Sequence, residues 1–147
     1  KGAKYFTTPL KYYFADIGLR NARLNFRQVE ETHIMENIIY NDLIRRGYNV
    51  DVGVVEYTQT KENKNRKIQL EVDFVVNRGN IKYYIQSSLT LESDEKREQE
   101  LNSLKRIDDS FKKIVVVKDD IIPRYDEQGI YYIGVKDFLL TDSVFEN

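Results

Sequence analysis

Residues 68–89 (IQLEVDFVVNRGNIKYYIQSSL) contain the most regular pattern in the chain. Ile68–Asn77 alternates apolar and polar residues, which is typical of a β-strand with one face against a core. Arg78-Gly79-Asn80 predicts a turn, and Ile81–Leu89 predicts the antiparallel return strand. We expect the first strand to lie centrally in a sheet, with its residues on two faces: Ile68, Leu70, Val72, Phe74 and Val76 on one, and Gln69, Glu71, Asp73 and Val75 on the other.

A helix is predicted ahead of this hairpin, from Glu31 to Arg46. Its apolar residues recur at helical spacing, Thr32 is the candidate N-cap, and Gly47 is the candidate residue that ends the last turn. Between the helix and the hairpin, Tyr48–Thr58 predicts a strand, and Gln59–Lys67 (QTKENKNRK) predicts a charged hairpin loop. The helix is expected to pack on the sheet.

The second half of the chain predicts a crossover followed by short elements. Glu92–Asp109 is predicted as a polar helix, and Lys113–Val117 (KIVVV) as a strand buried on both faces. Gly129–Gly134 predicts a short strand and Val135–Leu140 a terminal helix. The step from the third strand through a helix to the fourth predicts a right-handed crossover. We therefore expect an α/β fold with an αβββαβ core, a mixed sheet and helices on both faces.

The composition describes a globular domain rather than a disordered or membrane-spanning chain. With 147 residues, of which 41% are hydrophobic and 32% charged, the chain has the length and composition of one folded domain. It has no cysteine and no apolar run of the length that spans a membrane. We expect a cytoplasmic protein with no membrane partner. The net charge of −1 argues against the strongly basic surface of most dedicated duplex-DNA binders.

The N-terminal part has the character of a leader from an upstream domain. Residues 1–31 are rich in Tyr, Phe and Arg but have weak periodicity, with a short helix expected near Asp16–Ala22. Lys1–Leu10 lacks the apolar segment of a signal peptide, and the chain has no initiator Met, so we expect a fragment of a longer protein. We assign residues 1–31 to the leader and residues 32–147 to the folded domain.

Two carboxylates on the alternating strand form the first candidate site. Glu71 and Asp73 lie two residues apart and are expected to project from the same face, where such pairs hold hard cations such as Mg²⁺ together with waters. Gln86 lies at a similar distance from the turn on the return strand, so it is a candidate neighbour of Asp73. The alternative is structural: the carboxylates lie on a solvated strand face, and Gln86 is an ordinary edge residue.

Glu36 is the third candidate. It shares a helix face with Tyr40 and borders the apolar stripe, so it is expected to face the sheet. The alternative is a surface carboxylate that the helix dipole stabilises. His33, the one histidine of the chain, is expected to pack or cap rather than bind a metal. The sequence has no GxxxxGK[ST], HExxH or GxSxG motif, which excludes the chemistries that depend on them.

Several strings of the chain together resemble a known family. They are KYYFADIGLRNA (11–22), HIMENIIYNDLIRRGYNV (33–50), LEVDFVV (70–76), YYIQSSLTL (83–91) and KIVVV (113–117). Over about Tyr5 to Leu140 the chain resembles the C-terminal domain of unknown function of many bacterial and archaeal AAA-type ATPases. In such proteins an ATPase domain with a phosphate-binding loop and a winged-helix-like linker come first. The resemblance implies an upstream ATPase domain of the same chain as the partner.

That C-terminal domain looks like a PD-(D/E)xK, restriction-endonuclease-like fold. The resemblance implies that Glu36 matches the helix glutamate, Asp73 the strand aspartate, and Gln86 to Ser88 the E-x-K segment, with Mg²⁺ as the candidate cofactor. Gln86 replaces the second carboxylate and Ser88 replaces the lysine. Loss of one such electrostatic group typically lowers the rate by about 10²–10³, so the resemblance implies a degenerate catalytic site. The candidate metal ligands are Asp73, Glu36 and Glu71.

Three functions remain open at this point. The first is a catalytically degenerate nuclease-like module that serves an ATPase as a sensor, docking or nucleic-acid-contact domain. The second is a Mg²⁺-dependent DNA endonuclease that uses Glu36, Glu71, Asp73 and Gln86. The third is a protein-interaction domain with the charged helix Glu92–Arg106 as its surface. A lysine or arginine that reaches the Ser88 position from elsewhere would favour the endonuclease, and an apolar-filled position would favour the interaction domain.

Overall fold

The computed structural model describes residues 11–27, 30–61, 64–89 and 101–145. Within these residues the strands are β1 (Asn49–Lys61), β2 (Lys64–Arg78), β3 (Ile81–Ser88), β4 (Lys112–Val117), β5 (Arg124–Tyr125) and β6 (Tyr131–Gly134). They form one mixed sheet in the order β1-β2-β3-β4-β6-β5. The helices are α1 (Ile17–Arg23), α2 (Glu31–Arg45), α3, described over residues 101–105, and α4 (Val135–Leu140), with a 3₁₀ turn at Ser143–Phe145.

The predicted mixed α/β architecture is confirmed. Strands β2 and β3 pair antiparallel, with Phe74 opposite Ile85, and β3 runs parallel to β4, with Ile85 opposite Ile114. Gly79 in the turn has a φ of 62°, a left-handed conformation that glycine adopts without steric cost. Because β2 is bonded to β1 on one side and to β3 on the other, it lies inside the sheet, although next to the edge strand rather than at the middle.

Helix α2 ends as predicted but begins differently. Gly47 follows the last turn with a φ of 80°, and the N–H groups of the two residues after the C-cap donate to carbonyls of the last turn. This Schellman arrangement satisfies carbonyl groups that a helix end leaves without partners. The predicted N-cap Thr32 is wrong, because the helix begins at Glu31 and Glu30 takes the cap position without a side-chain hydrogen bond.

The predicted loop Gln59–Lys67 is wrong, because most of it is strand. β1 continues to Lys61 and β2 begins at Lys64, so the two strands form a ribbon where a loop was expected. The outer side chains of this ribbon are exposed on both faces, so its strands pair without alternating apolar and polar residues. The sequence pattern therefore did not predict these strands. Residues 57–61 and 64–68 are called the β-arm below.

A β-bulge in β2 changes which residues face which helix. Asp51 of β1 pairs with Val75 and Gly53 pairs with Val72, so β2 has one more residue than β1 between these pairs. The expected shared face of Val72 and Phe74 is therefore wrong. Val72 packs in the core on the α3 side of the sheet, whereas Phe74 packs in the core on the α2 side.

Gly53 provides the space for this bulge. A Cβ atom at Gly53 would lie 2.6 Å from Val75 Cγ2 and 3.1 Å from Val72 Cβ. Both neighbours are β-branched and stiff about χ1, so neither side chain moves away at low cost. The absence of a side chain at this position of β1 therefore lets β2 approach closely where its alternation changes.

The sheet has an apolar core on each side. Strand β4 contributes alternate residues to the two cores, as expected of a strand buried on both faces. The predicted helix Glu92–Asp109 is described only from residue 101; there Leu101 and Leu104 are buried as predicted, and the helical residues end at 105. The first core includes Ile39, Phe74, Ile85, Ile114 and Phe138, and the second includes Val72, Leu101, Leu104, Val115 and Tyr132.

The C-terminal elements follow the prediction with small changes. The predicted strand Gly129–Gly134 begins at Tyr131, and α4 has the predicted bounds, Val135–Leu140. The two-residue strand β5 was not predicted, because two exposed residues produce no pattern. None of the helices in the described ranges has the length and apolar content needed to cross a membrane.

Candidate functional site

Residues 11–16, called the strap below, are fastened to helix α2. The buried side chain of Asn37 accepts a hydrogen bond from the N–H of Phe14 at 2.8 Å and donates one to its carbonyl at 2.7 Å. The ring of Tyr13 stacks on that of Tyr40, with centroids 4.1 Å apart. The paired amide bonds hold the strap as a neighbouring strand would, and the stacked rings hold its side-chain direction.

Lys11, the first residue of the strap, reaches three carboxylates. Its Nζ lies 2.5 Å from Glu71 Oε1, 3.1 Å from Asp73 Oδ1 and 3.2 Å from Glu36 Oε2. The strap, α2 and β2 therefore meet at one ammonium group. The side chains of Glu36 and Asp73 are 14% and 8% exposed, whereas that of Glu71 is 47% exposed, so the group opens to solvent on the Glu71 side. These four residues are called the acidic cluster below.

Asp73 is held from two sides. Its Oδ2 accepts hydrogen bonds from Gln86 Nε2, from the Ser87 N–H and from the Ser87 hydroxyl, each at 2.9 Å, while its Oδ1 faces Lys11. The pairing of β2 with β3 ends one residue away, at Phe74, which frees the Ser87 N–H for this contact. Bulges occur often beside functional sites, where they redirect a side chain. Here the bulge directs Asp73 towards α2 and the strap.

The acidic cluster contains more negative than positive charge, because three carboxylates surround one ammonium group. Burial alone would lower the pKa of Lys11, but the hydrogen bond with Glu71 and the charges of Asp73 and Glu36 outweigh it and raise that pKa. Burial and the nearby charge of Asp73 raise the pKa of Glu36, against the pull of Lys11. Lys11 is thus held firmly as a cation, whereas Glu36 is held less firmly as an anion than a free glutamate.

A cleft of about 520 Å³ opens beside the acidic cluster. The hydroxyl of Tyr13 is buried nearby and has no hydrogen-bond partner within the described ranges. Burial raises the pKa of Tyr13, so this hydroxyl keeps its proton as an unused donor. A ligand in the cleft would meet both charge signs and three tyrosine or phenylalanine rings, since the lining includes Lys11, Tyr12, Tyr13, Phe14, Arg20 and Glu36.

The remaining predicted site residues lie in different surroundings. Gln86 and Asp73 are neighbours across the two strands, as their distances from the turn suggested. Ser88 is buried at the end of β3, where its carbonyl accepts the N–H of Lys118. His33 is exposed and lies 2.8 Å from Glu30 at the start of α2, so it belongs to the helix end rather than to the acidic cluster.

The predicted metal ligands Glu36, Glu71 and Asp73 surround an ammonium group. In the part of the chain that the structure describes, no group of three or more acidic or histidine side chains has the spacing to hold a metal ion. Mg²⁺ requires its oxygen ligands at about 2.0–2.1 Å in octahedral geometry. As arranged, the carboxylates fit an ammonium group and not a bare divalent cation, so the Mg²⁺ assignment stays a prediction.

Sequence patterns did not point to Lys11, the one cation of the acidic cluster. It lies 62 residues before Asp73 in the chain, in a segment without periodicity, and only the folded structure joins the two. One signal was present, because Lys11 opens the KYYF string that carries part of the family resemblance. Ser87, which donates twice to Asp73, also had no sequence signal.

Comparisons with known proteins identify relatives without assigning an activity. The family model described as "Domain of unknown function (DUF4143)" matches residues 31–138, which include Glu36, Glu71, Asp73 and Gln86. A protein of Haemophilus influenzae (strain ATCC 51907 / DSM 11121 / KW20 / Rd), described as "Uncharacterized protein", is 30% identical over 144 residues, or 95% of this chain. The chain spans 31% of that relative's length. No solved structure matches the chain.

Proposed function

The chain belongs to the DUF4143 family, and we propose that it is a nuclease-like domain without DNA cleavage activity, which serves an AAA-type ATPase as a docking or sensing module in the cytoplasm. The proposed fold is restriction-endonuclease-like, because helix α2, strands β1 to β3, helix α3 and strand β4 follow one another in the αβββαβ order. The ATPase link rests on the KYYF and ENIIY strings. Most of the length of the Haemophilus relative lies outside the match, which leaves room for another domain.

One observation supports the proposed loss of cleavage: all three carboxylates contact the same ammonium group, that of Lys11. Metal-dependent hydrolysis of a phosphodiester uses positive charge at the scissile phosphate and a metal that supplies hydroxide. Lys11 instead directs its charge at Glu36, Glu71 and Asp73, and the other residues that donate to Asp73, Gln86 and Ser87, are neutral. The excess of carboxylates repels a phosphate at short range. The excess of negative charge supports the proposal, because cleavage requires a positive potential at the phosphate.

A plasmid-nicking assay with Mg²⁺ and with Mn²⁺ tests this proposal. We expect the wild-type chain and the Asp73→Asn variant to give the same background nicking. Wild-type nicking that Asp73→Asn abolishes would overturn the proposal. Both proteins need the same melting temperature, because Asp73 also accepts bonds from Ser87.

Restoring the family pattern tests the same proposal from the other side. We expect the double variant Gln86→Glu, Ser88→Lys to gain metal-dependent nicking, since it regains the carboxylate and the cation. Ser88 is buried, so Ser88→Ala is the matched control for effects on the fold. A folded double variant without nicking would argue against a nuclease ancestry of the acidic cluster.

Lys11 also favours a second candidate, a Mg²⁺-dependent endonuclease. It brings a cation to Glu36 and Asp73, the two carboxylates that the resemblance assigns to the catalytic set, so it is a candidate replacement for the lysine absent at position 88. The variant Lys11→Gln separates the two functions. If the chain is an endonuclease, Lys11→Gln and Asp73→Asn both abolish nicking; if it is the non-cleaving module, neither changes it.

The protein-interaction hypothesis rests on the charged helix Glu92–Arg106 and stays a prediction. Residues 92–100 lie outside the described residues, and those from 101 onward bury Leu101 and Leu104 against the sheet. No contact among the described residues favours the protein-interaction function over the non-cleaving module or the endonuclease.

A further inference from the structure

The β-arm is a local exception to the charge of the chain. Residues 57–68, which are the β-arm together with the two residues between its strands, contain four basic residues and one acidic residue, in a chain whose net charge is −1. The rest of the chain therefore carries an excess of negative charge. A concentration of cations on one projecting element is the electrostatic signature of a contact surface for a polyanion.

The outer part of the β-arm consists of two strands alone. Strand β2 pairs with β3 only from Phe74 onward, and four strand pairs lie beyond the Tyr57–Ile68 pair, ending at Lys61–Lys64. At about 3.3 Å per residue these four pairs span roughly 10 Å. The major groove of B-form DNA is about 8.5 Å deep and admits a two-stranded β-ribbon. The arm thus has the thickness and the reach for that groove.

The cations of the β-arm are divided between its two faces. Neighbouring residues of a strand point to opposite faces, so Lys64 and Arg66 project from one face while Lys67 projects from the other, beside Asn65. Lys64, Asn65, Arg66 and Lys67 are all exposed. An element that lies flat on a partner needs cations on one face only. A ribbon inside a groove has a phosphate backbone along each face, and this division of charge suits it.

Contacts at the base of the β-arm set its direction. The guanidinium of Arg106, which follows α3, lies 3.6 Å from the centroid of the Tyr57 ring, and its Nε donates to Asn102 at 2.8 Å. Further out, Thr60 and Asn65 are joined across the strands by a side-chain hydrogen bond of 2.7 Å. A ribbon fixed in this way loses little conformational entropy on binding.

We propose that the β-arm binds duplex DNA by entering the major groove and contacting phosphates on both sides, without base preference. Duplex RNA is excluded as an equal ligand, because the major groove of the A-form is too narrow for side-chain access. The proposal does not depend on the acidic cluster, which belongs to the strap, α2 and the bulged part of β2. It holds whether or not the chain cleaves DNA.

Fluorescence anisotropy with a short duplex DNA of arbitrary sequence tests the proposal. The arm variant is Lys64→Gln, Arg66→Gln, Lys67→Gln. The control variant is Lys118→Gln, Arg124→Gln, Lys136→Gln, which changes the charge equally at exposed positions in the other half of the sheet, towards β4, β5 and β6. Melting temperatures check that all three proteins are folded.

We expect the arm variant to bind about 10-fold or more weakly than wild type at low salt, and the control variant to bind nearly as wild type. The slope of log K against log salt is negative, and its magnitude should be smaller by about 3 in the arm variant, since each lost phosphate contact reduces that magnitude by about 0.9. Absence of wild-type binding at about 50 mM salt, an equal loss in the control variant, or equally tight arm-dependent binding of duplex RNA would each overturn the proposal. The nicking assays have a separate readout, so failure here leaves the acidic-cluster proposal intact.

Discussion

Helix α2 carries a polar cluster towards each end, and the two differ in charge balance. At its C-terminal end Arg46, 8% exposed, contacts Asp42 at 2.6 Å and Asp142 at 2.6 Å, while Arg45 also pairs with Asp42. Two arginines thus face two aspartates. The guanidinium of Arg46 donates further to the carbonyls of Phe138, Leu139 and Thr141. In the acidic cluster, by contrast, one lysine faces three carboxylates.

The difference separates a structural cluster from a candidate functional one. In the Arg46 cluster each buried charge has an opposite partner, and the carbonyls at the end of α4 gain a donor, so the arrangement joins α2 to α4. The acidic cluster holds excess negative charge in partly buried surroundings, which opposes folding. Local arrangements that oppose stability are expected at functional sites rather than in the supporting structure.

The largest expected effect is on the balanced cluster. Arg46→Met should lower the free energy of unfolding by about 3–5 kcal/mol, because it removes the buried partner of Asp42 and leaves only the exposed Arg45 beside that carboxylate. Urea denaturation measures this. The matched control is Arg45→Gln, which loses a bond to the same carboxylate from an exposed position and should leave the midpoint unchanged. Equal losses of stability in the two variants would mean that the burial of Arg46 does not explain its contribution to stability.

A smaller loss is expected from Lys11→Met, about 1–3 kcal/mol near neutral pH, because three carboxylates then face one another without a cation. The pKa of Lys11 is raised by folding, so the stabilising effect of its charge is present at neutral pH and is lost at the alkaline end only in strong alkali. The loss should shrink in acid, because Glu36, whose pKa is raised by burial and by the charge of Asp73, then becomes protonated and no longer needs a cation.

Thermal melting of wild type and Lys11→Met at neutral and acidic pH checks this dependence. Lys136→Met, which removes an exposed lysine that lies 3.7 Å from Asp120, is the control and should show no dependence on pH. A loss for Lys11→Met that stays constant with pH would indicate lost packing of the strap rather than lost charge compensation.

The smallest expected effect has the opposite sign. Glu36→Gln should raise the free energy of unfolding near neutral pH by up to about 1 kcal/mol, because it removes a charge that burial and Asp73 disfavour. Folding raises the pKa of Glu36, so its ionised form lowers wild-type stability above that pKa and the difference disappears as the pH falls below the ordinary glutamate range.

Urea denaturation at two pH values measures this, with Glu31→Gln as the control on the same helix. Glu31 is exposed and pairs with Lys118, so its replacement should not stabilise the chain. A loss for Glu36→Gln as large as for Lys11→Met would contradict the distinction between the two clusters, since the acidic cluster would then be a balanced structural unit.

Local patterns were sufficient for much of the fold. The turn at Gly79, the helix end at Gly47, the buried strand β4 and the bounds of α4 follow from allowed φ values and from periodic burial, which act over a few neighbouring residues. Glu36, Asp73 and Gln86 could be proposed for the same reason, because each lies on an element with a strong pattern.

Contacts between distant segments decided the rest. The bulge depends on how Gly53 of β1 admits Val72 and Val75, the β-arm depends on pairing between two polar segments, and Lys11 reaches Asp73 only once the strap lies on α2. None of these is periodic, because none arises from one element packing on a core. Strand twist, strand pairing and charge attraction act between residues that the chain order does not bring together, so only the folded molecule shows where they meet.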